Sequence, residues 1–517
     1  MPALDLRIGI DVGGTNTDAV VLDRAAEVIA RVKVPTTADV TGGIRNALAE
    51  VLGDPAVEPA RVTHVMLGTT HATNAILERR RLGRVAVLRI GGPATHAIRP
   101  LFGWPADLRE TVCAGTVIVD GGSEYDGREL VPFDREAAAR FIDEAGAGAD
   151  AIAITSVFSP ASPDHERRAR ELVRELLGVD KPVSLGHEVG SLGLIERENA
   201  TVLNATLAGV AREVGAALGD ALEQHRIDAV VYFAQNDGTL MALGYAMRFP
   251  VLTIGSGPAN SLRGAAYLTG LSDAIVADVG GTSTDLGVLV AGFPRESAAA
   301  VEIGGVRTNF RMPDVLSIAL GGGTIIGGSA REVVLGPGSV GYELTCRALS
   351  FGGDTPTLTD AMVHVGRARI GTRPDGDGAL FGAALARADA MIAAAVDRMK
   401  VGQEARPLIA VGGGSVLVPD DVPGVSEVLR PPDHDVANAI GAAIALASGR
   451  WEEVVELDRD RRGALDGACA RARDRAIEAG ADPAAVEIVE LEEVPLAYLN
   501  RPTVRVRVKA AGPLGSI

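Results

Sequence analysis

Cysteine and lysine are scarce in this sequence. The three cysteines, Cys113, Cys346 and Cys469, lie far apart and form no C-x-x-C pair, which argues against an iron–sulfur cluster and a cysteine-rich zinc site. The eight histidines form no close ligand pair either. Lysine occurs only at positions 33, 181, 400 and 509, so a mechanism that needs a lysine inside a glycine-rich loop is disfavoured.

Basic clusters and long apolar runs are missing as well. The 517 residues carry a formal net charge of −17 without any basic block, which makes nucleic acids and anionic membranes poor partners. The longest apolar stretches are interrupted before they reach the length of a membrane span, and the first residues lack the pattern of a signal peptide. We therefore expect a cytoplasmic protein with two or three domains.

What the chain does contain is one motif written twice. Residues 11–18 read DVGGTNTD and residues 278–285 read DVGGTSTD; each copy lies between two apolar runs, which predicts a β-hairpin with the Gly-Gly pair at its tip. Adjacent glycines allow backbone N–H groups to converge on an anion, and the threonine hydroxyls add donors. The leading aspartate of each copy is suited to hold Mg2+ that bridges to phosphates. A plain tight turn is the alternative, which the repetition disfavours.

The motif therefore predicts a nucleotide polyphosphate site built from both hairpins. Asp11 and Asp278 are the predicted magnesium ligands and also belong to the predicted catalytic set. The predicted cofactor-binding residues are Gly13, Gly14, Thr15, Thr17 and Asp18 in the first copy and Gly280, Gly281, Thr282, Thr284 and Asp285 in the second. Neither copy fits G-x-x-x-x-G-K-[ST] or a G-x-G-x-x-G turn before a helix, so the standard mononucleotide loop and the dinucleotide fold are disfavoured.

Two domains that each present such a hairpin can hold a triphosphate from both sides. This arrangement resembles the superfamily of actin, hexokinase and heat-shock chaperones, which has a further glycine turn near the adenosine. In this sequence an apolar run at 408–411 leads into Gly412, Gly413 and Gly414, followed by a helix pattern of small residues. These three glycines are predicted to contact ATP, and a simple strand-to-helix turn is the alternative.

Several longer strings resemble the hydantoinase A and 5-oxoprolinase family. They follow the family's order and read GTTHATNAILER at 68–79, ATVLNA at 200–205, QNDGTLM at 235–241, IGSGPA at 254–259, SIALGGGT at 317–324, GPGS at 336–339 and PTLTDAMV at 356–363. The resemblance implies that ATP is used to activate an unreactive carbonyl, either in cyclic amides such as hydantoins and 5-oxoproline or in the ketones of carboxylases. It also implies a second, B-type subunit.

These strings contain further candidate residues. Thr70 is predicted at a helix N-terminus, where free N–H groups favour an anion, with a plain helix cap as the alternative. Asn236 follows an apolar strand and is predicted to contact substrate or magnesium; Thr70 and Asn236 complete the predicted catalytic set. Gly322 and Gly323 are predicted to line the nucleotide cleft, with a flexible turn as the alternative. Asp360 precedes an apolar helix pattern, where a helix N-cap is the plain interpretation.

The alternation of strand and helix patterns predicts an α/β fold. We expect two actin/hexokinase-like ATPase domains facing a nucleotide cleft, at residues 1–190 and 191–450, plus a small α+β unit at 451–517. The pattern of this C-terminal unit is a charged helix followed by two strands. The unit is shorter than the corresponding region of larger family members, and residues 341–351 also depart from the family pattern.

Three functions remain open, and a sugar or acetate kinase is compatible on fold grounds alone. The first is an ATP-dependent hydrolase, or its ATP-using subunit, which activates a cyclic amide by phosphorylation and uses ATP and Mg2+. The second is the ATP-using subunit of a ketone carboxylase. The third is a nucleotide-dependent binding protein of the chaperone type, which is disfavoured because no lysine lies between Lys33 and Lys181 and because a substrate-binding sandwich is missing. Assembly into a homo-oligomer is compatible with all three.

Overall fold

The computed structural model describes residues 5–36, 40–297, 301–400, 402, 404–496 and 503–515. The strands in this part of the chain are β1 (Leu6–Val12), β2 (Asn16–Leu22), β3 (Val28–Pro35), β4 (Val62–Thr69), β5 (Val85–Gly92), β6 (Cys113–Asp120), β7 (Ala151–Ser156), β8 (Val183–Leu185), β9 (Val230–Ala234), β10 (Leu240–Ala242), β11 (Ala274–Val279), β12 (Thr284–Val290), β13 (Phe293–Pro294), β14 (Val301–Ile303), β15 (Val306–Thr308), β16 (Val315–Ile318), β17 (Thr324–Ser329), β18 (Glu332–Ser339), β19 (Leu408–Val411), β20 (Val428–Leu429), β21 (Ala447–Glu456), β22 (Glu487–Pro495) and β23 (Thr503–Gly512). The helices are α1 (Val40–Leu52), α2 (His71–Glu78), α3 (Ala106–Val112), α4 (Arg135–Phe141), α5 (Asp164–Leu177), α6 (Gly186–Val189), α7 (Leu194–Thr206), α8 (Ala208–Gln224), α9 (Leu243–Arg248), α10 (Ser256–Thr269), α11 (Leu344–Arg347), α12 (Leu358–Val365), α13 (Gly378–Met399), α14 (Ala437–Ala443) and α15 (Leu457–Glu478).

The first hairpin lies within a nine-stranded sheet of order β22-β23-β21-β10-β9-β4-β1-β2-β3. Strand β1 pairs antiparallel with β2 and parallel with β4. Both faces of the hairpin are apolar because both are covered: Ile8 and Ile10 belong to the core that includes α1, whereas Val20 and Leu22 pack with Ile440 of α14. This two-sided burial holds the turn between β1 and β2 in a fixed position.

The second hairpin has the same surroundings in a six-stranded sheet of order β13-β12-β11-β19-β20, with β16 paired to β12. Strand β11 pairs antiparallel with β12 and parallel with β19, as β1 does with β2 and β4. The repeat found in the sequence is therefore also a repeat of the structure, and the predicted hairpins are present in both copies.

Helix α13 packs against this second sheet. Within the described residues it is the one helix that is long and apolar enough to cross a membrane by length and composition. Its residues Phe381, Leu385, Ile392 and Val396 are buried in the core beneath the second hairpin. Their separations of four and seven residues are those of a helix that buries one face in a protein core.

A separate four-stranded parallel sheet has the order β6-β5-β7-β8. It lies in sequence between β4 and β9, which pair with each other in the nine-stranded sheet. The four-stranded sheet is therefore an insertion into the first one, with its own core beneath α4 and α5.

The C-terminal residues contain the predicted helix and two strands, as α15, β22 and β23. Ala468, Ala472 and Ala476 form a small-residue face of α15 that packs on Val504 and Val506 of β23. Because β23 pairs with β21 along its length, these strands extend the nine-stranded sheet. The boundaries at 190 and 450 stay predictions, but strands on both sides of each boundary share this sheet.

Candidate nucleotide site

The two glycine turns have the same geometry. Gly13 N–H donates to the carbonyl of Asn16 over 3.0 Å, and Gly280 N–H donates to that of Ser283 over 2.9 Å. Below each turn two aspartates stand opposite each other, Asp11 with Asp18 and Asp278 with Asp285. Asp11 and Asp18 are buried, and Asp278 and Asp285 are half-buried, so each turn brings two acidic side chains together.

The tips of the two hairpins meet. A Cβ atom added to Gly281 of the second hairpin would lie 3.1 Å from Cγ2 of Thr15 in the first. The side chains of Asp11 and Asp278 also influence each other, since the charge of Asp278 contributes to the raised pKa of Asp11. The predicted cofactor-binding residues of the two copies are thus brought to one cleft.

Asp11 lies in a cradle of neutral donors. Asn260 Nδ2 donates to its Oδ1 over 3.2 Å, and Asn438 Nδ2 donates to its Oδ2 over 2.9 Å and to Asp18 Oδ2 over 3.0 Å. Burial raises the pKa of Asp11 to about 7; the charges of Asp18 and Asp278 add to the shift, and the asparagine hydrogen bonds oppose it. A nearby cation would favour the ionised form.

Asp278 is held in a similar way from the other side. Ser261 Oγ donates to its Oδ2 over 2.5 Å, and burial raises its pKa to about 6 against this hydrogen bond. Asn260 and Ser261 are neighbours on α10, so one helix contacts the leading aspartates of both hairpins. Sequence reasoning missed Asn260, Ser261 and Asn438, because their spacing to the hairpins is set by tertiary packing.

Lys33 is a further residue that the sequence analysis missed. It stands opposite Asp18 in the pairing of β2 with β3 and forms an ion pair with it. The glycine loops contain no lysine in their own sequence. In the folded chain, however, β3 places Lys33 beside the first hairpin. Extending the strand register from β2 to β3 would have placed Lys33 opposite Asp18.

The turn at Gly321–Thr324 supports the second hairpin. Gly322 N–H donates to the carbonyl of Gly280 over 3.1 Å, and Gly323 N–H donates to that of Gly281 over 2.7 Å. Both glycines lie against the second hairpin, and these two N–H groups are used within the protein. Their direct contact with ATP stays a prediction.

The third glycine turn packs against Asp278. Gly412 has a φ of +83°, and a Cβ there would lie 2.3 Å from Asp278 Oδ1, so only glycine fits without strain. Gly414 N–H donates to the carbonyl of Val279 over 2.8 Å. Gly413 has no atom within 4 Å of an added Cβ, which leaves this glycine facing open space.

Thr70 lies beside the first hairpin. It occupies the N-cap position of α2 without capping that helix, and its hydroxyl instead donates to the carbonyl of Val12 over 3.1 Å. His71 is buried and contacts Thr69. Thr70 is therefore held next to Val12, the residue that follows Asp11. The side-chain hydrogen bond that a helix cap would make is not formed.

Asn236 and Asp360 make structural contacts. The Asn236 carboxamide accepts from Gly255 N–H over 2.7 Å and donates to the carbonyl of Val251 over 3.3 Å, which fixes the segment that leads into α10. Its contact with substrate or metal stays a prediction. The N-cap of α12 is Thr357, and Asp360 is the N3 residue of the same capping box. Asp360 therefore stabilises the start of the helix, but it is not the N-cap that the plain interpretation expected.

The carboxylates fit a magnesium ion shared with phosphates. Within the described ranges no group of three or more His, Cys, Asp or Glu residues is placed to hold a metal by itself. Mg2+ commonly takes one or two protein carboxylates and completes its shell with water and substrate phosphates. Asp11 and Asp278 supply that number of carboxylates, one from each side of the cleft.

The fold and this site define an α/β protein with a duplicated glycine hairpin. Two family models match consecutive parts of the chain. "Hydantoinase/oxoprolinase N-terminal region" matches residues 7–177, and "Hydantoinase/oxoprolinase" matches residues 197–412. The chain belongs to the hydantoinase/oxoprolinase family.

Curated relatives agree with this assignment. Caprolactamase subunit alpha from Pseudomonas jessenii is 30% identical over 425 residues, covering 73% of this chain and 56% of the relative. Acetophenone carboxylase gamma subunit from Aromatoleum aromaticum is 30% identical over 399 residues, covering 69% and 53%. 5-Oxoprolinase from Saccharomyces cerevisiae is 31% identical over 228 residues, covering 43% and 17%. The chain thus spans about half the length of the first two relatives.

Solved structures share the fold. The ATP-dependent caprolactamase from Pseudomonas jessenii superposes with a TM-score of 0.78 at 22% identity, covering 99% of this chain and 89% of that one. Nucleotide-free acetone carboxylase superposes with a TM-score of 0.71 at 17% identity, covering 99% and 88%. The predicted α/β fold class is confirmed.

Proposed function

We propose that the chain is an ATP-dependent hydrolase, or the ATP-using subunit of one, that activates the carbonyl of a cyclic amide by phosphorylation. The observation that carries the proposal is the shared support of the two hairpins by α10. Asn260 holds Asp11 and Ser261 holds Asp278, so both carboxylates keep a fixed relation to one cleft. Fixed positioning is the main contribution of a protein to phosphoryl transfer.

The residues of the cleft would bind and orient rather than react. When bound, Mg-ATP supplies the phosphoryl group that turns a carbonyl oxygen into a leaving group. Asp11 and Asp278 would hold the magnesium ion, and Lys33 would bring a positive charge to the phosphate oxygens. The glycine turns would allow the backbone to approach the phosphates closely.

The names of the relatives support the substrate class and a partner. Caprolactamase and 5-oxoprolinase act, by name, on cyclic amides, and several relatives are named as subunits. We therefore propose a cyclic amide substrate, a second, B-type subunit and a cytoplasmic location for this chain. The second candidate is the ATP-using subunit of a ketone carboxylase, because acetophenone carboxylase gamma subunit is as similar in identity as the caprolactamase subunit.

Phosphate release from Mg-ATP by the purified chain tests the proposal. The reaction is run without addition, then with hydantoin, 5-oxoproline or caprolactam, and then with acetone or acetophenone plus bicarbonate. Stimulation by a cyclic amide supports the hydrolase, and stimulation by a ketone supports the carboxylase subunit.

The variants Asp11→Asn and Asp220→Asn distinguish a specific role of the cleft aspartate from an effect of net charge on phosphate release. Both remove one negative charge, but Asp220 is exposed on α8. Only Asp11→Asn should abolish the stimulated release. If the chain binds ATP but no compound stimulates release, the nucleotide-dependent binding protein gains support. If the chain does not bind ATP, both enzyme proposals are contradicted.

A further inference from the structure

A cavity of about 440 Å³ lies apart from the two hairpins. It is bordered by α6 and α9, by the loop after β7 and by β21, β23 and α15 of the C-terminal region. No residue of the motifs at 11–18 and 278–285 lines it. Its volume is in the range of small-molecule sites, roughly 300 to 1,000 Å³.

One wall of the cavity is aromatic. Tyr245, Phe249, Phe310 and Trp451 line it, and the rings of Tyr245 and Phe249 lie 4.7 Å apart between centroids. Aromatic side chains offer large, rigid apolar contact area to a flat ligand. This wall suits a ring-sized apolar body.

Most of the positive charges around the cavity are already neutralised. The cations paired with carboxylates are Arg450 and Lys509, both with Asp237 over 3.0 and 2.7 Å, Arg311 with Glu490 over 2.9 Å, Arg471 with Glu453 over 2.5 Å, and Arg507 with Glu452 over 2.9 Å. Glu296 and Glu492 add further ion pairs to Arg450, Arg311 and Arg507, so each of these five cations already has at least one carboxylate partner.

Arg167 and Arg475 also line the cavity, and no carboxylate of the described ranges lies within ion-pair distance of either guanidinium, but Arg167 is exposed. Arg475 is half-buried. It donates to the carbonyl of Arg450 over 3.0 Å and lies 4.8 Å from the centroid of Trp451. An arginine that is held by a carbonyl and a ring keeps its charge and further N–H donors for a carboxylate.

Unused hydroxyl groups line the same cavity. Ser159 is fully buried, and its hydroxyl has no hydrogen-bond partner in the described part of the chain. The Tyr245 hydroxyl has none there either. Burial raises the pKa of the Tyr245 hydroxyl, and the charge of Arg475 opposes this shift. A buried hydroxyl without a partner is unfavourable unless a ligand or water completes it.

His187 adds an imidazole to the lining of the cavity. Its Nδ1 lies 2.5 Å from Oε2 of Glu166, a residue without solvent exposure. Burial tends to raise the pKa of Glu166, but hydrogen bonding to His187 and the charges of His187 and Arg197 hold it below its usual value. Since Nδ1 is occupied by Glu166, Nε2 is the nitrogen available to a polar group of a ligand.

We propose that this cavity binds a small organic carboxylate with a ring-sized apolar body, held by Arg475 and the Tyr245 hydroxyl at its carboxylate and by the aromatic wall at its ring. His187 Nε2 would contact a second polar group of the same ligand. Asn236 of the predicted catalytic set lines this cavity, whereas no residue of the two hairpins does. The proposal does not depend on the proposed function.

Isothermal titration calorimetry on the purified full chain tests the proposal with benzoate and cyclohexanecarboxylate as probes and benzamide as the neutral match of benzoate. We expect benzoate to bind about tenfold or more tightly than benzamide, as one charge-assisted hydrogen-bonded pair predicts. Arg475→Gln should weaken benzoate binding by about tenfold and leave benzamide unchanged. Arg473→Gln is the matched control, because Arg473 is exposed on the same helix outside the cavity.

Tyr245→Phe gives an independent variant that keeps the ring. Its hydroxyl has no partner among the described residues, so the fold should be retained while benzoate binding falls several-fold. The variant Asp11→Asn should bind benzoate as the wild type does, which keeps this test distinct from the ATP proposal. The proposal is overturned if neither acid binds at millimolar concentration, if benzamide binds as well as benzoate, or if folded Arg475→Gln and Tyr245→Phe bind benzoate like Arg473→Gln.

Discussion

Lys33 forms an ion pair with Asp18, the residue directly opposite it in the pairing of β2 with β3. In the second hairpin the corresponding position opposite Asp285 is Ser317. The duplicated cleft therefore has its cation on the side of the first hairpin. Burial is the main influence on the pKa of Asp278, and the charge of Lys33 opposes it.

Replacing Lys33 should impair the nucleotide site. We expect Lys33→Met to lower ATP turnover by at least about tenfold, because the variant loses a positive charge near the phosphates. Lys33→Arg keeps the charge and should retain part of the activity. Steady-state kinetics of phosphate release measures both variants, and turnover by Lys33→Met equal to that of the wild type would exclude a phosphate contact for this residue.

Gly412 and Gly413 are adjacent glycines at which the same substitution by alanine should have different effects. Gly412→Ala places a Cβ 2.3 Å from Asp278 Oδ1 at a φ of +83°, and we expect it to lower the free energy of unfolding by about 1 to 3 kcal/mol and to weaken ATP binding. Gly413→Ala meets no atom within 4 Å and should fold normally. Urea denaturation of the two variants compares them, and equal stability would contradict the packing of this turn against Asp278.

His71 makes the stability of the chain depend on pH. Burial lowers the pKa of His71 to about 4 from an ordinary value of 6.5, so the folded state keeps the imidazole neutral while the unfolded state takes up a proton below pH 6.5. The contribution of His71 to the free energy of unfolding is constant above pH 6.5. As the pH falls from 6.5 toward 4, this contribution lowers the free energy of unfolding by roughly 3 kcal/mol in total.

Urea denaturation between pH 4.5 and 7.5 measures this effect. The wild type should lose more stability across this range than His71→Gln, which cannot be protonated there. Parallel pH profiles for the two proteins would show that His71 does not titrate as its burial requires.

The local parts of the site were predictable from the sequence, and the long-range parts were not. The hairpins at Asp11 and Asp278 follow from apolar runs on either side of a Gly-Gly pair, which is information within a few residues. Asn260 and Asn438 reach Asp11 only because α10 crosses α14 closely, where a Cβ on Gly264 would lie 1.8 Å from the Ala437 carbonyl. No spacing in the sequence encodes that crossing.

Sheet membership shows the same limit. The C-terminal helix and strands are evident from their alternating pattern, but their pairing with β21 joins residues that the sequence analysis assigned to separate units. Asn236 follows a strand, as predicted, and its carboxamide is used by the backbone of the next segment. A strand end predicts where a polar side chain lies and leaves its partners to the tertiary structure.

The central claim is that Asp11 and Asp278 hold magnesium and ATP between the two hairpins. Calorimetric binding of ATP with Mg2+ and with EDTA, by the wild type and by Asp11→Asn, Asp278→Asn and the control Asp220→Asn, tests it most directly. We predict that Mg2+ strengthens ATP binding by about tenfold or more in the wild type and in Asp220→Asn, and that each cleft variant loses this gain while remaining folded. Equal magnesium dependence in all four proteins would contradict the account.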